Sequence, residues 1–176
     1  MRFQPTRVIL TLSLALVLSS SLTSAQVEPV ARLNKTIELL DNDHVALGLL
    51  AFDYSLNNAR SLARSNLDFV IIDMEHAPFD VERLREFLLG MTDKNEIMTK
   101  GSLQPNVTPL VRIPASRGTE IITQVKQVLD VGVFGVMFPS VDNRSQAEMA
   151  IRTMRYPQLK AVDDFEPAGL RGRNPA

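Results

Sequence analysis

The feature that most constrains this chain is an apolar run at residues 69–72 (FVII) that ends abruptly in polar residues. An uninterrupted run of β-branched and aromatic residues, followed by a polar cluster and proline, is typical of a strand buried on both faces. Such strands belong to the parallel sheets of α/β proteins, where the carboxyl ends of the strands face the ligand. Asp73, Glu75 and His76 therefore stand where an α/β enzyme carries its functional groups.

Predicted strands and helices alternate along the rest of the chain. The alternation indicates parallel βαβ units with right-handed crossovers, and four units make half of an eight-fold barrel or a small open sheet. No glycine-rich phosphate loop follows any strand, so a nucleotide-binding fold has little support. Residues 92–107 are polar, and we expect an excursion loop there that can include a helical turn around 95–99. The strands are predicted at residues 45–52, 69–73, 108–113 and 133–138, and the helices at 32–40, 55–65, 81–91, 119–129 and 145–154.

The first 25 residues have the pattern of a secretory signal peptide. Arg2 and Arg7 precede an apolar run at residues 8–18, and small polar residues lead to Ala25. The run is short for a membrane span, although an uncleaved anchor is the alternative. We therefore expect a signal peptide at residues 1–25, cleavage near Gln26, export to a periplasm or the outside, and a mature domain at 26–176 that is free of the membrane.

Composition excludes several classes of function. The net charge of the 176-residue chain is −1, so no basic field is available to attract nucleic acid. The chain contains no cysteine, which excludes a disulfide scaffold, a thiolate nucleophile and a thiolate metal site.

Other polar residues also follow predicted strands. Arg112 ends the third strand and Ser140 follows the fourth, so both are expected on the same edge as His76. His76 could abstract a proton beside a carbonyl while Arg112 holds the developing oxyanion. The structural alternatives are a satisfied core histidine at position 76 and a simple salt bridge between Arg112 and Asp73, with Asp73 and Glu75 orienting the histidine or forming ion pairs. Arg117, Arg171 and Arg173 are interpreted as ordinary surface charge.

Four segments together resemble the HpcH/HpaI aldolase/citrate lyase family. They are residues 73–78 (DMEHAP), 111–114 (VRIP), 126–132 (KQVLDVG), and 155–157 (RYP) with 169–172 (GLRG). Each segment is weakly specific alone, but they occur in the family's order, and the similarity runs from about Arg32 to Arg173.

The resemblance implies a (β/α)8 TIM-type barrel that makes or breaks carbon–carbon bonds in 2-keto acids with a divalent metal, Mg²⁺, Mn²⁺ or Co²⁺. By position, it implies that His76 is the general base, that Arg112 stabilises the oxyanion, and that Asp130 raises the basicity of the histidine. Asp130 lies before a strand rather than after one, so it could reach His76 only across a subunit contact. We therefore expect a homo-oligomer that acts on small keto acids and aldehydes.

The family's metal ligands, a Glu and an Asp on later strands, would fall beyond Ala176. We therefore expect only the N-terminal part of the barrel, with about four βα units and no metal ligands of its own. The leading hypothesis is a metal-dependent carbon–carbon lyase of the class II aldolase type, which releases a pyruvate-like product from 2-keto/4-hydroxy acids. The alternatives are a truncated non-catalytic relative and a half-barrel subunit completed by a partner chain.

Overall fold

The computed structural model describes residues 32–172, in which helices and parallel strands alternate. The predicted α/β class is confirmed. The predicted signal peptide lies outside the described residues and stays a prediction, as does export. In chain order the elements are α1 (Lys35–Asp41), β1 (Gly48–Ala51), α2 (Leu56–Ala63), β2 (Phe69–Asp73), α3 (Val81–Met91), α4 (Lys94–Lys100), β3 (Thr108–Arg112), α5 (Thr119–Asp130), β4 (Val136–Met137) and α6 (Arg144–Met154).

The four strands form one parallel sheet in the order β1-β2-β3-β4. Sequential strands are therefore neighbours, which is the connectivity of a (β/α) barrel. Strands β2 and β3 pair over their full length, and Asp73 is opposite Arg112 at their last position. This register brings the polar ends of the two central strands together.

Strand β2 is the buried centre of the sheet. Val70 and Ile72 are fully buried on one face, and Ile71 and Asp73 are buried on the other. Burial on both faces is the reason for the uninterrupted apolar run. By contrast, β1 is an edge strand in which only Ala51 is buried.

Two segments differ from the sequence-based expectation. The polar segment after α3 contains a two-turn helix, α4, rather than a loop with a single turn. Asp93 caps this helix by accepting hydrogen bonds from the amides of Asn95 and Glu96, and Gly101 ends it in the left-handed conformation (φ 66°). Strand β4 has only two residues, Val136 and Met137, which pair with the end of β3, whereas the strand was predicted at residues 133–138.

Within residues 32–172, no helix combines the length and the apolar character needed to cross a bilayer.

Candidate active site at the carboxyl edge of the sheet

Asp73 is the buried centre of a polar cluster at the carboxyl ends of β2 and β3. Its side chain has no exposed surface. Arg112 donates from Nε to Oδ1 at 3.0 Å and from Nη2 to Oδ2. The main-chain amides of Glu75 and His76 donate to Oδ1 at 2.9 and 3.3 Å. The carboxylate therefore fixes both the arginine and the turn that carries the histidine.

These contacts determine the charge of the pair. Burial alone would raise the pKa of Asp73, but the hydrogen bonds from Arg112, Glu75 and His76 outweigh burial and lower the pKa to about 2. The hydrogen bond with Asp73 in turn raises the pKa of Arg112. Both groups are therefore charged at neutral pH.

His76 is the accessible member of the cluster. Its side chain is 63% exposed, whereas the side chains of Arg112 and Glu75 are 19% and 20% exposed. The Nδ1 atom lies 2.7 Å from Arg112 Nη2, 3.2 Å from Asp73 Oδ2 and 3.8 Å from Glu75 Oε2. Among the described residues Nε2 has no hydrogen-bond partner, so this nitrogen is the one that a small molecule can reach.

Tyr54 also contacts this cluster, and it was not among the site residues predicted from the sequence. Its hydroxyl donates to the main-chain carbonyl of Asp73. Burial, followed by the charges of Asp73 and Asp80, raises the pKa of Tyr54 to about 12. Its position two residues after the predicted first strand was a signal for this edge of the sheet, because polar residues at strand ends share one edge, but its main-chain partner left none.

A cavity of about 340 Å³ lies at the same edge of the sheet. The loops after β3 and β4 line it, including Ile113, which directly follows Arg112, and Ser140, which follows the fourth strand. The cavity gives a small substrate room next to the strand ends, as expected for a site built from the loops after parallel strands.

The acidic cluster itself does not fit a divalent metal ion. Asp73, Glu75 and His76 offer three ligand atoms within 4.8 Å of one another. However, the Arg112 guanidinium contacts all three of these side chains. A cation there already neutralises the carboxylates and would repel a second one.

Asp130 lies at the other edge of the sheet, at the end of α5 and before β4. Lys126 Nζ donates to its Oδ2 at 2.6 Å, and Arg171 Nη2 donates to its Oδ1 at 2.9 Å. Hydrogen bonding from Lys126, together with Arg171, lowers the pKa of Asp130 despite partial burial. Within one chain no contact joins Asp130 to His76 in the described structure, so its expected role still requires a subunit contact.

Arg171 is not the surface charge that the sequence analysis expected. Its side chain is only 14% exposed, and its guanidinium stacks 4.5 Å from the ring centroid of Tyr156. The segment after α6 folds back, with the amides of Leu170 and Arg171 donating to the carbonyls of Arg152 and Arg155. A contact between residues 41 positions apart, in a segment without periodicity, leaves no local sequence signal.

Comparisons with known proteins show which family this chain resembles. The sequence model of the HpcH/HpaI aldolase/citrate lyase family matches residues 53–162. The hydroxypyruvate/pyruvate aldolase of Paraburkholderia phytofirmans is 32% identical over 105 residues, which are 60% of this chain and 35% of that protein. The 4-hydroxy-2-oxo-heptane-1,7-dioate aldolase of Klebsiella pneumoniae is 35% identical over 115 residues, 65% of this chain and 34% of that protein. The chain thus spans about a third of the length of these curated relatives.

Solved structures give the same result for the fold. A family member from Burkholderia cenocepacia is 29% identical with a TM-score of 0.61, and the match covers 80% of this chain and 48% of that one. The citrate synthase SbnG is 26% identical with a TM-score of 0.60, covering 82% of this chain and 49% of its own. The neighbours are TIM-barrel proteins, so the four-stranded sheet corresponds to about half of such a barrel, as predicted. The family model matches residues 53–162, which are more than half of this chain. This chain therefore belongs to the HpcH/HpaI aldolase/citrate lyase family.

Proposed function

We propose that this chain carries the general base and the oxyanion-binding arginine of a carbon–carbon lyase of the class II aldolase type. Its substrates would be 2-keto/4-hydroxy acids that release a pyruvate-like product. The observation that carries the proposal is the exposed ring of His76, held against Arg112 and the buried Asp73 at the carboxyl edge of the sheet. The names of three relatives support the proposal: a hydroxypyruvate/pyruvate aldolase, a 5-keto-4-deoxy-D-glucarate aldolase and a 4-hydroxy-2-oxo-heptane-1,7-dioate aldolase.

The proposed chemistry gives one role to His76 and one to Arg112. His76 takes the proton of the 4-hydroxyl group, the bond between C3 and C4 breaks, and an aldehyde forms from C4. The electron pair moves into the C2 carbonyl, whose oxygen becomes an enolate that the Arg112 guanidinium stabilises. The histidine then returns its proton to C3, which gives the pyruvate-like product.

The metal expected from the family would be held outside this cluster. The carboxylates of Asp73 and Glu75 already contact Arg112, so a Mg²⁺, Mn²⁺ or Co²⁺ ion would need other ligands. This supports a second candidate, a half-barrel completed by a partner chain. The exposed edge strand β1, with Leu49 and Leu50 at 40% and 41% exposure, and Phe52 directly after it at 59%, also favour a partner. The subunit contact proposed for Asp130 belongs to the same candidate.

The test of the proposed function is exchange of the methyl protons of pyruvate with D₂O, followed by NMR, with each of the three metals added. We expect exchange that is lost in His76→Ala and retained in His44→Ala, since His44 lies on an exposed turn far along the chain from the cluster. Exchange that survives His76→Ala, or none with any metal, would overturn the catalytic proposal. Binding of Mn²⁺, measured by electron paramagnetic resonance on the same samples, separates a missing metal from a missing base.

A further inference from the structure

The Nδ1 atom of His76 has two polar neighbours within hydrogen-bond distance, with opposite requirements, and the carboxylate of Glu75 lies farther away at 3.8 Å. Arg112 Nη2, at 2.7 Å, can only donate, so this contact needs a lone pair on Nδ1. The Asp73 carboxylate, at 3.2 Å, can only accept, so that contact needs a proton on Nδ1. A neutral imidazole carries one proton, and only one of the two hydrogen bonds can form at a time.

We propose that Arg112 and Asp73 together set which nitrogen of His76 carries the proton, and that substrate binding switches it. In the resting arrangement Arg112 makes the shorter contact, so the proton sits on Nε2 and the accessible nitrogen cannot act as a base. When Arg112 turns to a substrate oxygen, Nδ1 gains a proton and donates it to Asp73 in a hydrogen bond. The lone pair then moves to Nε2. This inference rests on the proposed function only for the identity of the trigger.

The proton count of the switch balances without another group. The ring releases the Nε2 proton to water and takes up one from water at Nδ1, so its charge is unchanged. Exposure of 63% of the His76 side chain gives water access to it. Asp73 is therefore a positioning residue, since it acts through the histidine.

The two neighbours differ in their freedom to move. Asp73 is fully buried, its Oδ1 accepts from two main-chain amides, and Tyr54 holds its carbonyl. Arg112 Nη1 has no hydrogen-bond partner among the described residues, so the guanidinium has donors left for an anion. A rotation that keeps Nε on Asp73 Oδ1 would release His76 and leave the ion pair intact.

The experiment observes the imidazole nitrogens directly. The sequence has only two histidines, so His44→Gln leaves one ring signal. Long-range ¹H–¹⁵N correlation spectra at about pH 9, where imidazole is ordinarily neutral, distinguish the two tautomers. In the His44→Gln protein we expect His76 mainly in the Nε2–H form. Arg112→Gln should convert it to mainly the Nδ1–H form, and adding Asp73→Asn should reverse the conversion. The matched control is Arg117→Gln at an exposed arginine of the next loop, which should change nothing.

A second measurement does not depend on the Arg112 variant folding. Sodium pyruvate, added to the His44→Gln protein, should shift the population toward Nδ1–H. A resting Nδ1–H form, or no conversion in a folded Arg112→Gln protein, would overturn the inference. Conversion by Arg112→Gln without a response to pyruvate would overturn the substrate trigger. If the His76 tautomer changes as expected but the protein exchanges no pyruvate protons, the result counts against the proposed function alone.

Discussion

Two aspartates of this chain each pair with an arginine about forty residues away, at opposite edges of the sheet. At the carboxyl edge, Asp73 and Glu75 share one arginine with an exposed imidazole. At the other edge, two cations surround the single carboxylate of Asp130, and among the described residues no imidazole contacts it. Similar ion pairs therefore have different roles. The Asp73 ion pair holds the His76 ring, with its movable proton, where solvent can reach it. The Asp130 ion pair attaches the segment after α6 to the end of α5.

The largest expected effect is on stability, from Asp73→Ala. The substitution removes the buried, bidentate partner of Arg112, which keeps only Glu75 as an anionic partner, and leaves two main-chain amides without their acceptor. Breaking a buried ion pair from one side costs about 3 kcal/mol, and we expect that loss in urea unfolding. The control is Asp164→Ala, which breaks the pair between a 78% exposed carboxylate and Arg155 and should cost under about 1 kcal/mol. Equal losses in the two variants would contradict the buried role of Asp73.

The second effect is a pH dependence that comes from the same carboxylate. The folded-state pKa of Asp73, about 2, lies below the ordinary value of about 3.9. Its stabilisation is therefore complete above about pH 4 and is lost as the pH falls through about 2, by about 2–3 kcal/mol in total. Unfolding measured between these limits should show a shallower slope in Asp73→Asn than in the parent. The exposed Asp163→Asn should keep the parent slope.

Much of the carboxyl-edge cluster could be predicted, because it follows from local patterns. A buried parallel strand is a continuous apolar run, so the end of β2 could be placed at Asp73 from the sequence. Arg112 ends the next strand, and parallel strands in register bring the two ends together. A salt bridge with Asp73 was one of the two interpretations of Arg112. The structure shows this bidentate contact together with the contact between Arg112 and His76.

The rest escaped prediction because it depends on caps and distant contacts. Helix α4 buries no residue, so it has no apolar stripe, and only Asp93 and Gly101 mark its ends. The burial of Arg171 depends on the path of the returning segment, which has no repeating pattern of apolar residues. The hydroxyl of Tyr54 reaches a main-chain carbonyl, and main-chain partners leave no mark in the sequence.

The third effect concerns the contacts of Arg171 at the other edge of the sheet. Arg171→Ala removes one of the two partners of Asp130 and the stacking on Tyr156. We expect a loss of about 1–2 kcal/mol and faster hydrogen exchange at the amides of Leu170 and Arg171, because their bonds to the end of α6 then open more often. Arg171→Lys should restore part of the stability through its charge. The tautomer of His76 should not change, and a change would show that the two clusters are coupled.

The smallest effect concerns the support of the carboxyl-edge cluster. Tyr54→Phe removes one hydrogen bond, to the carbonyl of Asp73, and should cost about 1 kcal/mol in urea unfolding. The chain has two tyrosines, so ionisation is measurable by absorbance near the phenolate band. Burial and the charges of Asp73 and Asp80 raise the pKa of Tyr54 to about 12, and Tyr54→Phe should remove the step at that pH. Asp73→Asn should move the same step to lower pH, since one of the two charges that oppose phenolate formation is gone. A step that does not move would show that burial and Asp80 hold the phenol neutral without Asp73, and that Tyr54 is linked to the cluster only through the main chain.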